Sequence, residues 1–231
     1  MNIPVLIVSL LPIVGACNHN VFSPPSRPIT LTTPATLDKD ETAVRATGSI
    51  SSEVFGPSIA AGSVGARYGV ESQVEVVADL SYVQVVEESE SGTNRGIAMG
   101  RAGVKLNPKE SNHVAVLAGV GGGYAPAGGA YTTADIGFAG GYENPYAIPF
   151  VNLGVFASIP LNAKAIDTTL LGSSESHSDT PKNTFGFTMG AGVKVPINTS
   201  AFTFGANITR LADDDSVEVF IGLGVGIETK L

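Results

Sequence analysis

From Thr42 to the last residue the chain repeats one pattern, an apolar side chain at every second position with Gly, a small polar residue or a charge between. Period two is the repeat of a β-strand, and a helix cannot keep such residues on one face. Val217, Val219, Ile221, Leu223, Val225 and Ile227 alternate with Glu218, Phe220, Gly222, Gly224, Gly226 and Glu228. Phe185, Phe187, Met189, Ala191, Val193 and Val195 alternate in the same way with Gly186, Thr188, Gly190, Gly192 and Lys194. Glycine falls inside nearly every such segment, at a density that helix propensity penalises. The alternation predicts ten strands, near 43–54, 58–70, 73–86, 95–106, 113–124, 130–142, 148–159, 184–195, 201–210 and 217–229, with eight as the alternative count.

Which face points inward decides the architecture. In a soluble sandwich the apolar faces meet in a core and the outer faces carry Lys, Glu, Ser and Thr in quantity. Only 15% of this chain is charged, against about 25% in an average soluble domain. Its mean hydropathy is +0.24. Runs such as Gly119-Gly121-Gly123 and Gly222-Gly224-Gly226 would leave bare backbone on a soluble surface, whereas inside a narrow barrel they relieve crowding. The pattern therefore predicts an all-β fold, an antiparallel up-and-down transmembrane β-barrel with apolar faces turned to lipid. Five Tyr residues, Tyr68, Tyr82, Tyr124, Tyr142 and Tyr146, are candidates for its interfacial girdle. The two longest connections, 87–94 and 160–183, fall on one end of such a barrel, as the outer loops of outer-membrane barrels do. An even strand count then puts both ends of the domain on the periplasmic side.

Residues 1–16 (MNIPVLIVSLLPIVGA) are uncharged and apolar but short for a helix that must cross about 30 Å of hydrocarbon. They read as a signal peptide. Val14-Gly15-Ala16-Cys17 resembles the lipobox of bacterial lipoproteins, an aliphatic residue and two small ones before a Cys. The resemblance implies that Cys17, the single cysteine, is lipidated and becomes the new amino terminus, and that Asn18 permits delivery to the outer membrane. Without it, the segment reads as a buried N-terminal strand with an incidental Cys. Residues 17–41 are Pro-rich and lack periodicity, which predicts an extended tether between the lipid and a barrel domain at 42–231.

The formal charge is −8, with no basic run, so nucleic-acid binding is set aside. The sequence holds no HExxH, CxxC, P-loop or GxSxG motif, and no cofactor or metal is expected. His19, His113 and His177 all fall outside the predicted strands and read as solvated residues rather than bases. Asp213-Asp214-Asp215, Glu87-Glu88-Ser89-Glu90-Ser91 and the Ser-rich stretch 173–179 read as loops, since a nucleophile and base need a rigid setting.

The inward faces are more informative. They place Arg45, Arg67, Arg101, Lys105 and Lys194 in the lumen with Glu53, Glu75, Asp79, Asp135, Glu218 and Glu228. Near-balanced charges in a confined lumen pair with one another, which predicts a plugged barrel rather than a selective channel. The expected function is that of an outer-membrane lipoprotein, not an enzyme, with a structural or interaction role through its outer loops. Its expected partners are outer-membrane lipid and other envelope proteins. A small pore for ions or solutes and a soluble, lipid-tethered barrel that binds a ligand are the alternatives.

Overall fold

The computed structural model describes residue 27 and residues 29–53, 58–85, 96–108, 113–125, 129–161, 166–167, 178–179, 182–212 and 217–231. Ten long antiparallel strands close into a barrel: β1 (Thr42–Glu53), β2 (Ser58–Glu71), β3 (Val74–Val85), β4 (Ile97–Leu106), β5 (Val114–Ala125), β6 (Gly129–Gly141), β7 (Ile148–Pro160), β10 (Thr184–Ile197), β11 (Ser200–Ala212) and β12 (Val217–Lys230). Each strand pairs with its neighbours in sequence, and β1 closes on β12 in a register running from Ala43↔Lys230 to Glu53↔Phe220. Closure leaves no free sheet edge. Two residue pairs, β8 (Ile166–Asp167) and β9 (Ser178–Asp179), form a small separate ladder in the connection between β7 and β10.

The connections differ between the two ends. At one end lie 72–73, 107–113, 142–147 and 198–199, together with the start of β1 and the end of β12; at the other lie 54–57, 86–96, 126–128, 161–183 and 213–216. We call these the short-loop and long-loop ends. The two-residue turn 198–199 works because Asn198 takes a left-handed conformation (φ 55°), which Asn tolerates better than most residues.

The alternation sets the two faces of the wall. Ile50, Val64, Leu80, Val120, Leu153 and Leu223 point outward, with Leu80 66% and Leu223 68% exposed. Each of the ten barrel strands carries exposed large apolar side chains, which matches a wall that faces hydrocarbon rather than the isolated patches of soluble monomers. Tyr68, Tyr142 and Tyr146 are exposed towards the short-loop end, and Tyr82 and Tyr124 towards the long-loop end.

Inside, the lumen is layered. At the long-loop end Val83, Met99 and Tyr131 form one buried cluster and Phe156, Leu211 and Phe220 another, and Ile59 packs against both. The remaining depth is filled by charged residues and by the chain's own amino-terminal segment. An eight-stranded barrel is just wide enough for its side chains to fill; ten strands leave more room. Here that room is taken by Arg27 and residues 29–37, and in this the structure departs from the tether expected at 17–41. Ile29, Leu37 and Pro34 are buried against the inner wall, and Leu31 lies against the inward-facing Gly205 and Gly224.

The physical reason is the pattern Ile29-Thr30-Leu31-Thr32, which supplies apolar groups and backbone that the wide, Gly-lined lumen can seat. Gly205, Gly224 and Gly141 make the slot: a side chain built on them would collide with Leu31, Ile29 and Pro34 respectively. The segment leaves the lumen at the short-loop end. There Asp40 N–H donates to Gly69 O at 2.8 Å, and Gly69 N–H donates to Glu41 O at 2.9 Å. Gly69 has no substitute, since any Cβ would strike the Asp38 carbonyl.

Candidate functional site: the charged lumen and its strap

Two clusters of buried charge hold Arg27 and residues 29–37 against the wall; with their exit at 38–41, these described residues are here called the strap. Strand periodicity places their members. Glu75 and Asp79 are four residues apart on β3 and so share its inner face, and Arg101 and Lys105 repeat that spacing on β4. The register sets Glu75 opposite Lys105 and Asp79 opposite Arg101.

The cluster nearer the short-loop end centres on Glu75. Arg67 reaches it through two donors, Nε to Oε1 at 2.8 Å and Nη2 to Oε2 at 2.5 Å, and Lys105 Nζ lies 3.2 Å from Oε1. Arg67 also contacts Glu228 at 2.6 Å, and Lys194 contacts the other oxygen of Glu228 at 2.6 Å. The strap completes this network. Leu37 N–H donates to Glu75 Oε2 at 3.1 Å, while Ala35 O accepts from Lys105 Nζ at 2.5 Å and from Arg67 Nη2 at 3.3 Å. Lys105 is fully buried, and its ammonium is satisfied only because a carboxylate and a strap carbonyl both face it.

The second cluster lies deeper and centres on Asp79. Arg45 donates to Oδ1 through Nε at 3.1 Å and Nη2 at 2.5 Å. Arg27 of the strap donates to Oδ2 at 3.0 Å. Arg101 forms a forked pair with Asp135, both bonds 2.6 Å, and its Nη1 lies 3.9 Å from Asp79. Gly119 and Gly103 leave the space in which the Arg101 guanidinium lies, because a Cβ on either would strike it. Each cluster holds three cations and two carboxylates, so each has an excess of positive charge that hydrogen bonds to strap carbonyls or to the wall must offset.

Of the residues assigned to the lumen from the sequence, Arg45, Arg67, Glu75, Asp79, Arg101, Lys105, Asp135 and Lys194 lie in these two clusters, with Glu228. Glu218 sits farther towards the long-loop end, paired with Leu211 in the ladder. The Glu53 side chain, Cys17, residues 1–16, His19, His177, Glu87–Ser91 and Asp213–Asp215 lie outside the described residues. His113 stacks on Tyr142 at the short-loop end, with ring centroids 5.9 Å apart. Sequence reasoning missed Arg27 and the strap. The signal for them was the Ile29-Thr30-Leu31-Thr32 alternation beside rows of inward glycines that no side chain of the wall fills.

Outside the lumen, Lys39 lies 2.8 Å from Glu71, and that hydrogen bond holds its ammonium above the ordinary lysine range. Lys230 pairs with Glu41 at 2.8 Å, so both termini of the described barrel are tied to the strap's exit. Among the described residues no group of three or more His, Cys, Asp and Glu side chains could hold a metal ion, and no helix is long and apolar enough to cross a membrane.

No family model matches the chain, and no curated protein does. Among solved structures, Neisserial surface protein A aligns at 10% identity over 83% of this chain and 96% of that one, with a TM-score of 0.43. The N-terminal β-barrel domain of OprF from Pseudomonas aeruginosa aligns at 16% identity over 83% and 99%, with a TM-score of 0.38. The outer-membrane protein Ail of Yersinia pestis aligns at 18% identity over 84% and 100%, with a TM-score of 0.34. The closed ladder of ten strands, not these likenesses, defines the fold.

Proposed function

We propose that this chain is an exported outer-membrane barrel, lipid-anchored through Cys17, whose lumen is closed by its own amino-terminal segment and which acts as a structural or interaction component through its long-loop end. The observation that carries the reading is the strap. A barrel that conducts solute keeps a hydrated path, usually biased to one sign of charge. In support of a closed lumen, Phe156, Leu211 and Phe220 form a buried apolar cluster towards the long-loop end, and deeper in the lumen the strap is tied to Glu75 and Asp79. A sealed, salt-bridged cylinder is rigid, and what it offers other envelope molecules is its rim and outer wall.

The outer wall supports membrane insertion over the soluble, tethered alternative, since a water-exposed barrel with Leu80 and Leu223 on its surface would aggregate. One observation favours the pore as the second reading: the strap is held by hydrogen bonds, ion pairs and side-chain contacts, which a partner could displace. The experiment that tests the membrane reading is fractionation of envelopes with the full chain. The barrel is expected to leave the membrane only with detergent and to migrate differently on gels when unheated. Extraction by alkaline buffer alone would overturn it. Incorporation of labelled palmitate, lost in Cys17→Ser, tests the anchor separately.

A further inference from the structure

Six of the seven Lys and Arg residues on the barrel strands take part in ion pairs: five in the lumen, and Lys230 with Glu41 at the short-loop end. Arg210 is the exception. It lies on the outer face of β11, exposed, two residues from the strand's long-loop end, and makes no hydrogen bond or ion pair with any described residue. Its partners across the ladder are Phe187 on β10 and Val219 on β12. An outward arginine is costly at mid-depth and tolerable near the interface, where its charge reaches water or lipid headgroups.

Arg210 also borders an outer-wall groove of about 590 Å³, lined by Ile136, Val155, Phe185 and Phe187, where the short Ala134 and Ala157 leave the wall thin. Bulky residues flank a shallow channel in the wall, bordered on β11 by Arg210 in the strand's long-loop half. A second groove of similar size, about 640 Å³, lies in the short-loop half beside Val44, Val64 and Leu80. The arginines bordering it, Arg45 and Arg101, turn inward to Asp79 and Asp135, so its outer lining offers no charge. The two grooves share their apolar character and differ in the cation.

We propose that the groove at Arg210 is a site for one phosphorylated, acylated lipid of the outer leaflet, the lipid A portion of lipopolysaccharide. Acyl chains lie along Phe185 and Phe187, and a headgroup phosphate takes the Arg210 guanidinium in a forked hydrogen bond. The choice of lipid rests on the membrane reading above, which makes the long-loop end the outer one. The acidic turn 213–215 lies outside the described residues and forms no part of the site.

The test uses the full chain in detergent micelles doped with bisphosphorylated lipid A, with the same lipid dephosphorylated, or with phosphatidylglycerol, and native mass spectrometry to count retained lipid. Wild type is expected to retain lipid A in preference to the other two. Arg210→Gln is expected to lower that retention about tenfold or more, as loss of a charged hydrogen bond implies, and Arg210→Lys to restore part of it. Ala157→Phe, which fills the groove and leaves Arg210 in place, is expected to weaken retention as well. Equal retention by Arg210→Gln, equal binding of dephosphorylated lipid, or equal binding of phosphatidylglycerol would each overturn the site. A chain that failed to show heat-modifiable mobility in the micelles would instead contradict the membrane reading, so the two failures are distinguishable.

Discussion

Arg27 and Asp79 meet at 3.0 Å in the depth of the barrel although 52 positions separate them in the chain. That contact joins a segment without regular secondary structure to the centre of β3, and it makes the amino-terminal segment part of the folded core. The carboxylate serves Arg45 and Arg101 as well, so the strap and three strands of the wall share one buried anion.

Asp79→Asn therefore leaves three guanidiniums facing a neutral amide. Removing one member of a buried ionic network costs about 3–5 kcal/mol, and a loss of that order is expected in guanidinium unfolding of the micelle-bound barrel. Arg27→Met removes only the strap's share, since Arg45 still bonds Asp79. Its expected cost is smaller, and its expected signature is faster proteolysis within 27–41 with the wall intact.

Gly224→Phe should expel the strap. The Cβ alone would stand 2.6 Å from Ile29 Cδ1 and 3.1 Å from Leu31 Cδ1, and the ring occupies the same slot. In a Cys17→Ser background, a reporter thiol at Leu31→Cys is expected to be protected in the parent and to react readily with a water-soluble maleimide once Gly224 is replaced. Equal protection in both would mean that the slot does not hold the strap.

Gly119→Leu tests the wall side of the deeper cluster. Its side chain enters the space of the Arg101 guanidinium and breaks the forked pair with Asp135. Destabilisation of about 3 kcal/mol or more is expected, read as a lower denaturation midpoint.

Leu223→Arg tests the outer wall. Leu223 lies near the middle of β12, and an arginine on the lipid face at mid-depth costs about 2–4 kcal/mol. The same substitution in a water-exposed barrel would be close to neutral, so folding stability in lipid vesicles separates the two settings.

Strand positions and faces were legible because period two is a local property. Each strand in the sequence reading lies within a few residues of an observed one, including β3, where Val77 and Val83 break the alternation and turn inward to become buried. Glu75, Asp79, Arg101 and Lys105 were legible for the same reason. The strap was not, because its seat is made by distant glycines. Gly205 and Gly224 read as relief of crowding, and only the closed barrel shows that they face Ile29 and Leu31. Proline in residues 24–34 signals an extended chain equally well for a tether in water and for a segment threaded through a lumen. The Arg210 groove escaped too, since one outward cation is ordinary until every other strand cation is seen to be paired.

Single-channel recording in planar bilayers tests the closed lumen most directly. The full chain is expected to give no steady openings. Replacing residues 27–37 by a Gly-Ser stretch, combined with Phe156→Ser and Phe220→Ser to open the apolar layer, is expected to give reproducible openings. Steady conductance from the unmodified chain, or silence from the opened variant once it is shown to be folded and inserted, would contradict a lumen closed by its own amino-terminal segment.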